Sequence, residues 1–242
     1  MIIDPSPQMP LTIPWNTRFS LDNFIASEND ELIDKLRQCV VGDEGQFTFL
    51  WGLQGVGKTH LLQAICREAR EHNHAAMYLS LSQEDITVDI LEGLSAFRVV
   101  CLDNVHQVAG DAVWEQALFE FYNRMQDQQG MLVMAALQRP LECGFQLADL
   151  LSRLQWGLLY PLLAPNDDDK LKVLAQYVST RGMDIHTRVL TYLIHHRSRR
   201  VDDLLALLDQ LNETSLVAKK RITIPFVQAY LEQFQSSVTT VE

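Results

Sequence analysis

The sequence predicts an α/β fold in which a parallel sheet carries helices on both faces and is followed by a small α-helical lid domain. Up to Pro165, short apolar segments of strand length alternate with amphipathic segments of helix length. A glycine-rich segment joins the first of these strands to the helix that follows it. After Pro165 only helical patterns occur, so a domain boundary is expected there.

Five segments have the length and apolar character of buried strands. Continuous apolar runs of this kind are typical of parallel sheets whose two faces are both covered. The predicted strands are residues 46–51, 75–81, 98–103, 131–137 and 157–162.

The helices between these strands are predicted from apolar residues that recur with helical spacing. In the segment after the first strand, Leu61, Leu62, Ile65 and Ala69 share one face. The predicted helices of this region are residues 29–40, 58–71, 86–91, 112–126 and 147–154.

The region after Pro165 begins with Asn166 and Asp167, which are good N-cap candidates for a helix ending near Gly182. Three more helices are predicted at residues 186–197, 201–216 and 225–234. The whole chain therefore divides into an extended, proline-bearing segment (1–16), a sheet domain (17–165), a helical domain (166–235) and a tail expected to be disordered (236–242).

Composition and charge limit the classes of partner. The 242 residues carry a net charge of -11, whereas extended contact with duplex phosphates would require a basic face. We therefore expect a nucleotide or a protein as the main partner and no strong direct DNA binding, although a local basic patch at 197–200 or 219–221 stays open. No apolar run is long enough to cross a bilayer, the first 15 residues lack a basic n-region, and the four cysteines are scattered. These features predict a cytoplasmic protein that has no membrane contact.

A phosphate-binding loop is predicted between the first strand and its helix. The segment fits the pattern G-x-x-x-x-G-K-[ST], in which glycines let successive backbone N–H groups point at phosphate oxygens. Lys58 can then reach the β- and γ-phosphates, and the Thr59 hydroxyl can hold Mg²⁺. The predicted nucleotide-binding residues here are Gly52, Leu53, Gln54, Gly55, Val56, Gly57, Lys58, Thr59 and His60.

Asp103 ends the third predicted strand, where a carboxylate can hold the water shell of the Mg²⁺ bound by Thr59. The next residue is Asn104, which cannot act as a base, so we expect weak intrinsic hydrolysis. Gln138 follows another strand and either contacts the γ-phosphate or is a solvated strand end.

With these motifs placed, the chain resembles the AAA+ P-loop ATPases of the bacterial initiator clade, and within it the Hda-like, DnaA-homologous regulators more than DnaA itself. The similarity runs from about residue 19 to residue 234. It is carried by residues 52–64, 101–105, 109–114, 121–124, 151–157, 208–211 and 221–227.

This resemblance implies a function. Proteins of this kind bind ADP or ATP with Mg²⁺, dock on the DNA-loaded sliding clamp of DNA polymerase III, and stimulate hydrolysis of the ATP held by DnaA. The initiator is thereby inactivated, which prevents re-initiation. The resemblance also implies a Rossmann-like domain followed by a helical lid.

The resemblance extends to single residues. The segment 8–13 is similar to the clamp-binding peptide, in which Gln8, Met9, Leu11 and Ile13 would enter pockets on the clamp. An extended peptide containing proline loses little entropy on binding, although a plain tail would look alike.

Three further positions follow from the resemblance. Arg153 matches the arginine finger that acts in trans on the partner's nucleotide. Phe19 falls where the family places an aromatic ring near the base, and a core role is the alternative. The sensor-2 position of the lid aligns with Asp202, so either Arg199 or Arg200 is a candidate to replace the missing arginine.

Two other functions stay open at this stage. One is a P-loop enzyme such as a small-molecule kinase, which Asn104 and the helical lid disfavour; the other is a DNA-binding loader or initiator fragment, which the net charge disfavours. AAA+ modules often self-associate through the face that joins finger and nucleotide, so a homo-oligomer is a further expectation.

Overall fold

The structure is a computed structural model that describes residues 19–22, 24, 29–42, 45–83, 85–197 and 200–238. The segment predicted to bind the clamp, with Gln8, Met9, Leu11 and Ile13, lies outside the described residues, and so does Arg199.

Five parallel strands form one sheet, which confirms the predicted fold class. Their order is β2-β3-β4-β1-β5. β4 therefore lies between β1, which leads into the glycine-rich loop, and β3, which ends at Asp103. The strands are β1 Phe47–Trp51, β2 Ala76–Ser80, β3 Val99–Asp103, β4 Met131–Ala136 and β5 Leu158–Pro161.

The sheet is buried on both faces because neighbouring residues along each strand point to opposite sides. In β1, Phe49 joins one apolar core and Leu50 the other, and both side chains are fully buried. One core contains residues of α1 and α2, whereas the other contains residues of α3, α4 and α5. These helices are α1 Asp30–Val41, α2 Lys58–Glu71, α3 Ile90–Leu94, α4 Ala112–Asp127 and α5 Ala148–Trp156.

The helix predicted at 86–91 is placed incorrectly by the sequence pattern. Ile86 and Ile90 both pack against the core at the helical spacing that suggested a helix. The intervening residues form turns instead, with Ile90 N donating to Thr87 O (3.2 Å) and Leu91 N donating to Val88 O (3.0 Å). Residues before Ile90 thus make i→i+3 turns, and the α-helix starts only at Ile90.

The lid domain has an apolar core of its own. Asn166 caps its first helix as expected, because its side chain accepts a hydrogen bond from Asp169 N (2.9 Å). The last helix runs to Val238, so the disordered tail predicted from residue 236 is wrong for residues 236–238, and residues 239–242 lie outside the described residues. The lid helices are α6 Asp167–Thr180, α7 Thr187–His196, α8 Val201–Ala218 and α9 Ile224–Val238.

Candidate nucleotide site

The loop between β1 and α2 has the backbone that its glycines predict. Gly55 (φ 81°) and Gly57 (φ 97°) are left-handed, a conformation that residues with a Cβ rarely adopt. A Cβ on Gly52 would lie 2.5 Å from the carbonyl oxygen of Leu162. The loop therefore turns tightly beside the end of β5, and α2 begins directly after Gly57, whose carbonyl accepts from Leu61 N (2.9 Å).

Lys58 lies folded over this loop. Its Nζ donates to the carbonyls of Gly52 (2.6 Å) and Leu53 (2.8 Å), and the residue is 7% exposed. Burial lowers the pKa of the Lys58 ammonium, whereas the charge of Asp103 opposes this shift. The loop thus holds a cation that is bonded to two of its own carbonyls.

Asp103 is buried at the end of β3 and accepts three hydrogen bonds. Thr59 Oγ1 (2.6 Å) and the Tyr78 hydroxyl (3.0 Å) both donate to Oδ2, and Asn104 N (2.9 Å) donates to Oδ1. The pKa of Tyr78 is raised by burial and by the charge of Asp103. Tyr78 was not singled out from the sequence. No signal in the sequence pointed to Tyr78, because its approach to Asp103 depends on the pairing of β2 with β3, in which Tyr78 lies opposite Cys101.

The Thr59 and Asp103 oxygens form a donor set that suits Mg²⁺, a cation that takes a few protein oxygens and completes its shell with water and phosphate. Among the described residues, no group of three or more His, Cys, Asp or Glu side chains could hold a metal ion.

Asn104 has a left-handed backbone (φ 57°), and its side chain bonds to Ser80. Its Nδ2 donates to Ser80 Oγ (3.1 Å), and Ser80 in turn contacts Ser82 Oγ (2.8 Å). Gln138 is exposed just after the carboxyl end of β4, the strand that lies between β1 and β3. Its backbone carbonyl accepts from the Cys143 thiol (3.3 Å), and no described contact fixes its role.

An aromatic cluster packs beside the start of α2. The Phe19 ring stacks on His60 with 4.4 Å between centroids, and Phe24 meets the same ring edge-on at 5.4 Å. Burial lowers the pKa of His60 to about 4, opposed by a hydrogen bond with the Ser20 backbone. The buried Nε2 of His60 has no hydrogen-bond partner within the described part of the chain. Phe24, which the sequence did not single out, is 3.0 Å from a Cβ placed on Gly57, so the cluster borders the loop.

Arg200, the N-cap residue of α8, brings the lid onto the loop. A Cβ on Gly55 would lie 3.2 Å from both Cγ and Nε of Arg200. Arg200 Nε is also 3.9 Å from the Asp203 carboxylate. Asp202, the residue aligned with the sensor-2 position, is exposed. Of these two positions, Arg200 is the one that the fold places against the phosphate loop.

Arg153 lies on α5, on the opposite face of the sheet from α2. Its guanidinium carbon is 6.0 Å from the centre of the Tyr122 ring and 5.4 Å from that of Trp156. Trp156 is 76% exposed, so the arginine stands at a surface with a large aromatic residue beside it. Such a pair is available to a second molecule.

Comparison with known families agrees with this architecture. Residues 15–161 match the model of the bacterial DnaA ATPase domain, and residues 167–231 match the model of the Hda lid domain.

Solved structures of known proteins share the fold. Domain III of the Thermotoga maritima replication initiation protein DnaA is similar with a TM-score of 0.77 and 20% identity, over 91% of this chain and 98% of that one. AMPPCP-bound DnaA from Aquifex aeolicus is similar with a TM-score of 0.66 and 21% identity, over 81% of this chain and 66% of that one. The Thermotoga maritima RuvB branch migration motor has a TM-score of 0.69 and 21% identity, over 88% and 71%. At these identities the likeness concerns the fold alone.

The phosphate loop after β1, the buried acid at the end of β3 and the helical lid define a nucleotide-binding module of the AAA+ class. The chain belongs to the family of the bacterial DnaA ATPase domain, and its lid is of the Hda type. It is therefore an Hda-like, DnaA-homologous protein of chromosome replication. No helix among the described residues is long and apolar enough to cross a membrane.

Proposed function

We propose that this chain is a cytoplasmic regulator of replication initiation that holds an adenine nucleotide, docks on the DNA-loaded sliding clamp of DNA polymerase III and stimulates hydrolysis of DnaA-bound ATP. Conversion of DnaA to its ADP form then prevents re-initiation. The observation that carries this proposal is the Hda-type lid at residues 167–231 joined to a DnaA-type ATPase domain.

The nucleotide is proposed to be ADP or ATP, held by the loop residues 52–59. DnaA from Aquifex aeolicus binds AMPPCP, an adenine nucleotide analogue, which supports the choice of base. Phe19, which stacks on His60, supplies an apolar surface for a base beside the loop. Arg200 adds a cation from the lid side.

Mg²⁺, when bound, would neutralise charge on the phosphates. The protein's own part is to present the Thr59 hydroxyl and the Asp103 carboxylate together, with Tyr78 and the Asn104 N–H fixing the carboxylate. Asn104 has no basic group with which to activate water, and its amide is occupied by Ser80. Weak intrinsic hydrolysis is therefore expected, and a turnover typical of an efficient ATPase that is lost in Lys58→Ala would contradict this.

Arg153 is proposed to act on the nucleotide of DnaA. A guanidinium is a planar, permanently charged fork that can donate to two γ-phosphate oxygens while negative charge builds on them. An arginine supplied in trans accelerates such reactions by roughly 10³–10⁵. Its place at the surface of α5, beside the exposed Trp156, supports a role toward a second molecule.

Clamp docking is proposed for residues 8–13. Met9, Leu11 and Ile13 would insert into apolar pockets, and Gln8 would supply the polar contact. The acidic net charge of -11 is consistent with recruitment to DNA through the clamp rather than through direct contact with the duplex.

The test uses DnaA loaded with labelled ATP and a clamp loaded on DNA. Hydrolysis is measured with the wild-type chain, with Arg153→Ala, and with Arg67→Ala as a control, since Arg67 is a surface arginine paired with Glu71 on α2. The expected result is stimulation by the wild type and by Arg67→Ala, but not by Arg153→Ala. If folded, nucleotide-binding wild-type protein does not stimulate hydrolysis, the proposal fails, and an enzyme acting on a small molecule becomes the leading alternative.

A further inference from the structure

Glu115 is a fully buried carboxylate that accepts hydrogen bonds from two separate parts of the chain. It is 1% exposed and lies in the first turn of α4. Its Oε1 accepts from Gly110 N (2.7 Å) and Gln146 N (3.0 Å), and its Oε2 accepts from Gln146 N (2.8 Å) and Leu147 N (2.6 Å). One buried side chain thus accepts from three backbone N–H groups.

Two of these N–H groups belong to the start of α5. Leu147 is the N-cap residue of that helix, and its own side chain makes no capping hydrogen bond. A helix start leaves its first N–H groups without partners inside the helix, and a negative charge there also interacts favourably with the helix dipole. Glu115 therefore accepts from the N-cap N–H of α5, as the glutamate of a capping box does, but from 32 residues away in sequence.

The third N–H group belongs to the segment that leaves the nucleotide site. β3 ends at Asp103, a 3-10 turn covers Val105–Val108, and Gly110 (φ 85°) follows. Glu115 hence connects a stretch of backbone continuous with Asp103 to the helix that carries Arg153.

We infer that Glu115 is a positioning residue for the finger helix: it fixes the start of α5 relative to the segment after Asp103 and so sets where Arg153 stands. α5 has only nine residues, so a shift at its N-cap residue, Leu147, is carried directly to Arg153, six positions later. Misplacement of a reacting group by about 1 Å can cost roughly 100-fold in rate. This inference rests on the proposed function of Arg153.

The main variant is Glu115→Gln. It replaces one acceptor oxygen by an amide that presents N–H groups to backbone N–H groups, so one of the two segments is released. Glu120→Gln is the matched control, since Glu120 is an exposed carboxylate on the same helix that accepts from Gln116 Nε2 (2.8 Å).

Two measurements are made on the full chain. In the assay with DnaA and clamp, Glu115→Gln is expected to lower the maximal stimulated rate about tenfold or more, counted per ADP-binding molecule. The concentration of the chain that gives half-maximal stimulation is expected to change little. Hydrogen exchange of the α5 amides is expected to accelerate, whereas exchange in α2 stays unchanged. A purely structural role would reduce the number of ADP-binding molecules but leave the rate per molecule unaltered.

A second pair of variants guards against failure of Glu115→Gln to fold. Leu147 has φ -73°, which proline adopts without strain, so Leu147→Pro removes the N–H that Glu115 accepts from. Leu147→Ala removes the same side-chain packing but keeps this N–H. The expected result is a lower maximal rate and faster α5 exchange in Leu147→Pro than in Leu147→Ala.

The outcomes separate the two proposals. Unchanged α5 exchange in Glu115→Gln, or equal behaviour of the two Leu147 variants, overturns the positioning role whether or not the chain stimulates DnaA. A full stimulated rate in Glu115→Gln despite faster α5 exchange also overturns it. If the wild type does not stimulate hydrolysis at all, the proposed function fails. The hydrogen exchange of the α5 amides then still tests whether Glu115 fixes the start of α5.

Discussion

At the scale of single residues, the candidate site depends on how Asp103 is oriented. Thr59 and Tyr78 both donate to one carboxylate oxygen, and the Asn104 N–H donates to the other. A buried carboxylate with three donors has little freedom to turn, so its oxygens are held ready for a cation beside Thr59.

Tyr78→Phe removes one of these donors, a hydroxyl that also has hydrogen bonds with Gln63 and Thr59. The loss of a group that orients a metal ligand typically costs 10–100-fold in metal affinity. We expect the Mg²⁺ concentration that half-maximally strengthens ADP binding to rise about tenfold, with ADP affinity in EDTA unchanged. Tyr230→Phe, which removes a hydroxyl bonded to Gln210 (3.2 Å) in the lid, is the control. An equal loss of affinity with and without Mg²⁺ would show that Tyr78 acts through the fold instead.

His60 should make stability depend on pH. Its pKa in the folded protein is about 4, below the ordinary value of 6.5, because burial disfavours the charged ring. Below pH 6.5 the unfolded chain binds a proton that the folded chain does not, so this stability is complete above pH 6.5 and is lost as the pH falls toward 4. From pH 7 to pH 4.5, wild-type unfolding free energy should fall by about 2 kcal/mol more than that of His60→Gln. Urea titrations of both proteins at both pH values measure the difference. An equal fall in the unfolding free energy of the two proteins would show that His60 does not cause the pH dependence.

At the scale of elements, the junction of α5 and β5 has no space for a side chain. Gly157 follows α5, and a Cβ there would lie 2.5 Å from the carbonyl oxygen of Phe47. The fold uses this close approach to bring β5 beside β1, and with it the end of α5.

Gly157→Ala is therefore expected to destabilise the protein by about 1–3 kcal/mol, because β1 or α5 must shift. Gly93→Ala is the control: a Cβ on Gly93, inside α3, meets nothing within 4 Å and should be neutral or stabilising by about 0.5–1 kcal/mol. Urea unfolding measures both variants. Equal stability of the two would contradict the tight junction.

The helix α3 shows what element prediction from a sequence lacks. Ile86 and Ile90 fit a helical period and both pack on the core, yet only the second lies in the helix. Apolar spacing reports which residues face the core, and it does not distinguish a helix from turns that bring the same residues inward.

At the scale of the whole molecule, Arg200 joins the two domains at the phosphate loop. Its side chain lies on Gly55, although the residue belongs to the lid. A cation in this place can interact with bound phosphates and can couple the lid to the nucleotide.

Arg200→Ala is expected to weaken ADP and ATP binding about tenfold, since a charge-assisted hydrogen bond contributes roughly 1.5–3 kcal/mol. Asp202→Ala, the neighbour aligned with the sensor-2 position, should leave the affinity within about twofold. Titration with a fluorescent nucleotide compares the two variants. A larger loss in Asp202→Ala would mean that the arrangement of Arg200 on the loop is not the binding arrangement.

The sequence by itself determined the features that depend on neighbours in the chain. The loop spacing from Gly52 to Thr59, the bounds of α2, the Asn166 cap and the alternation of strands and helices are local patterns, and the structure contains them as predicted. The family assignment follows from such patterns because they extend over nearly the whole chain.

Only the tertiary structure decided the contacts between residues distant in sequence. Strand order and register bring Tyr78 to Asp103, the lid places Arg200 rather than Asp202 on the loop, and Glu115 reaches the start of α5. Such contacts depend on how separate elements pack, and the periodicity of one element contains no information about the register or distance of another.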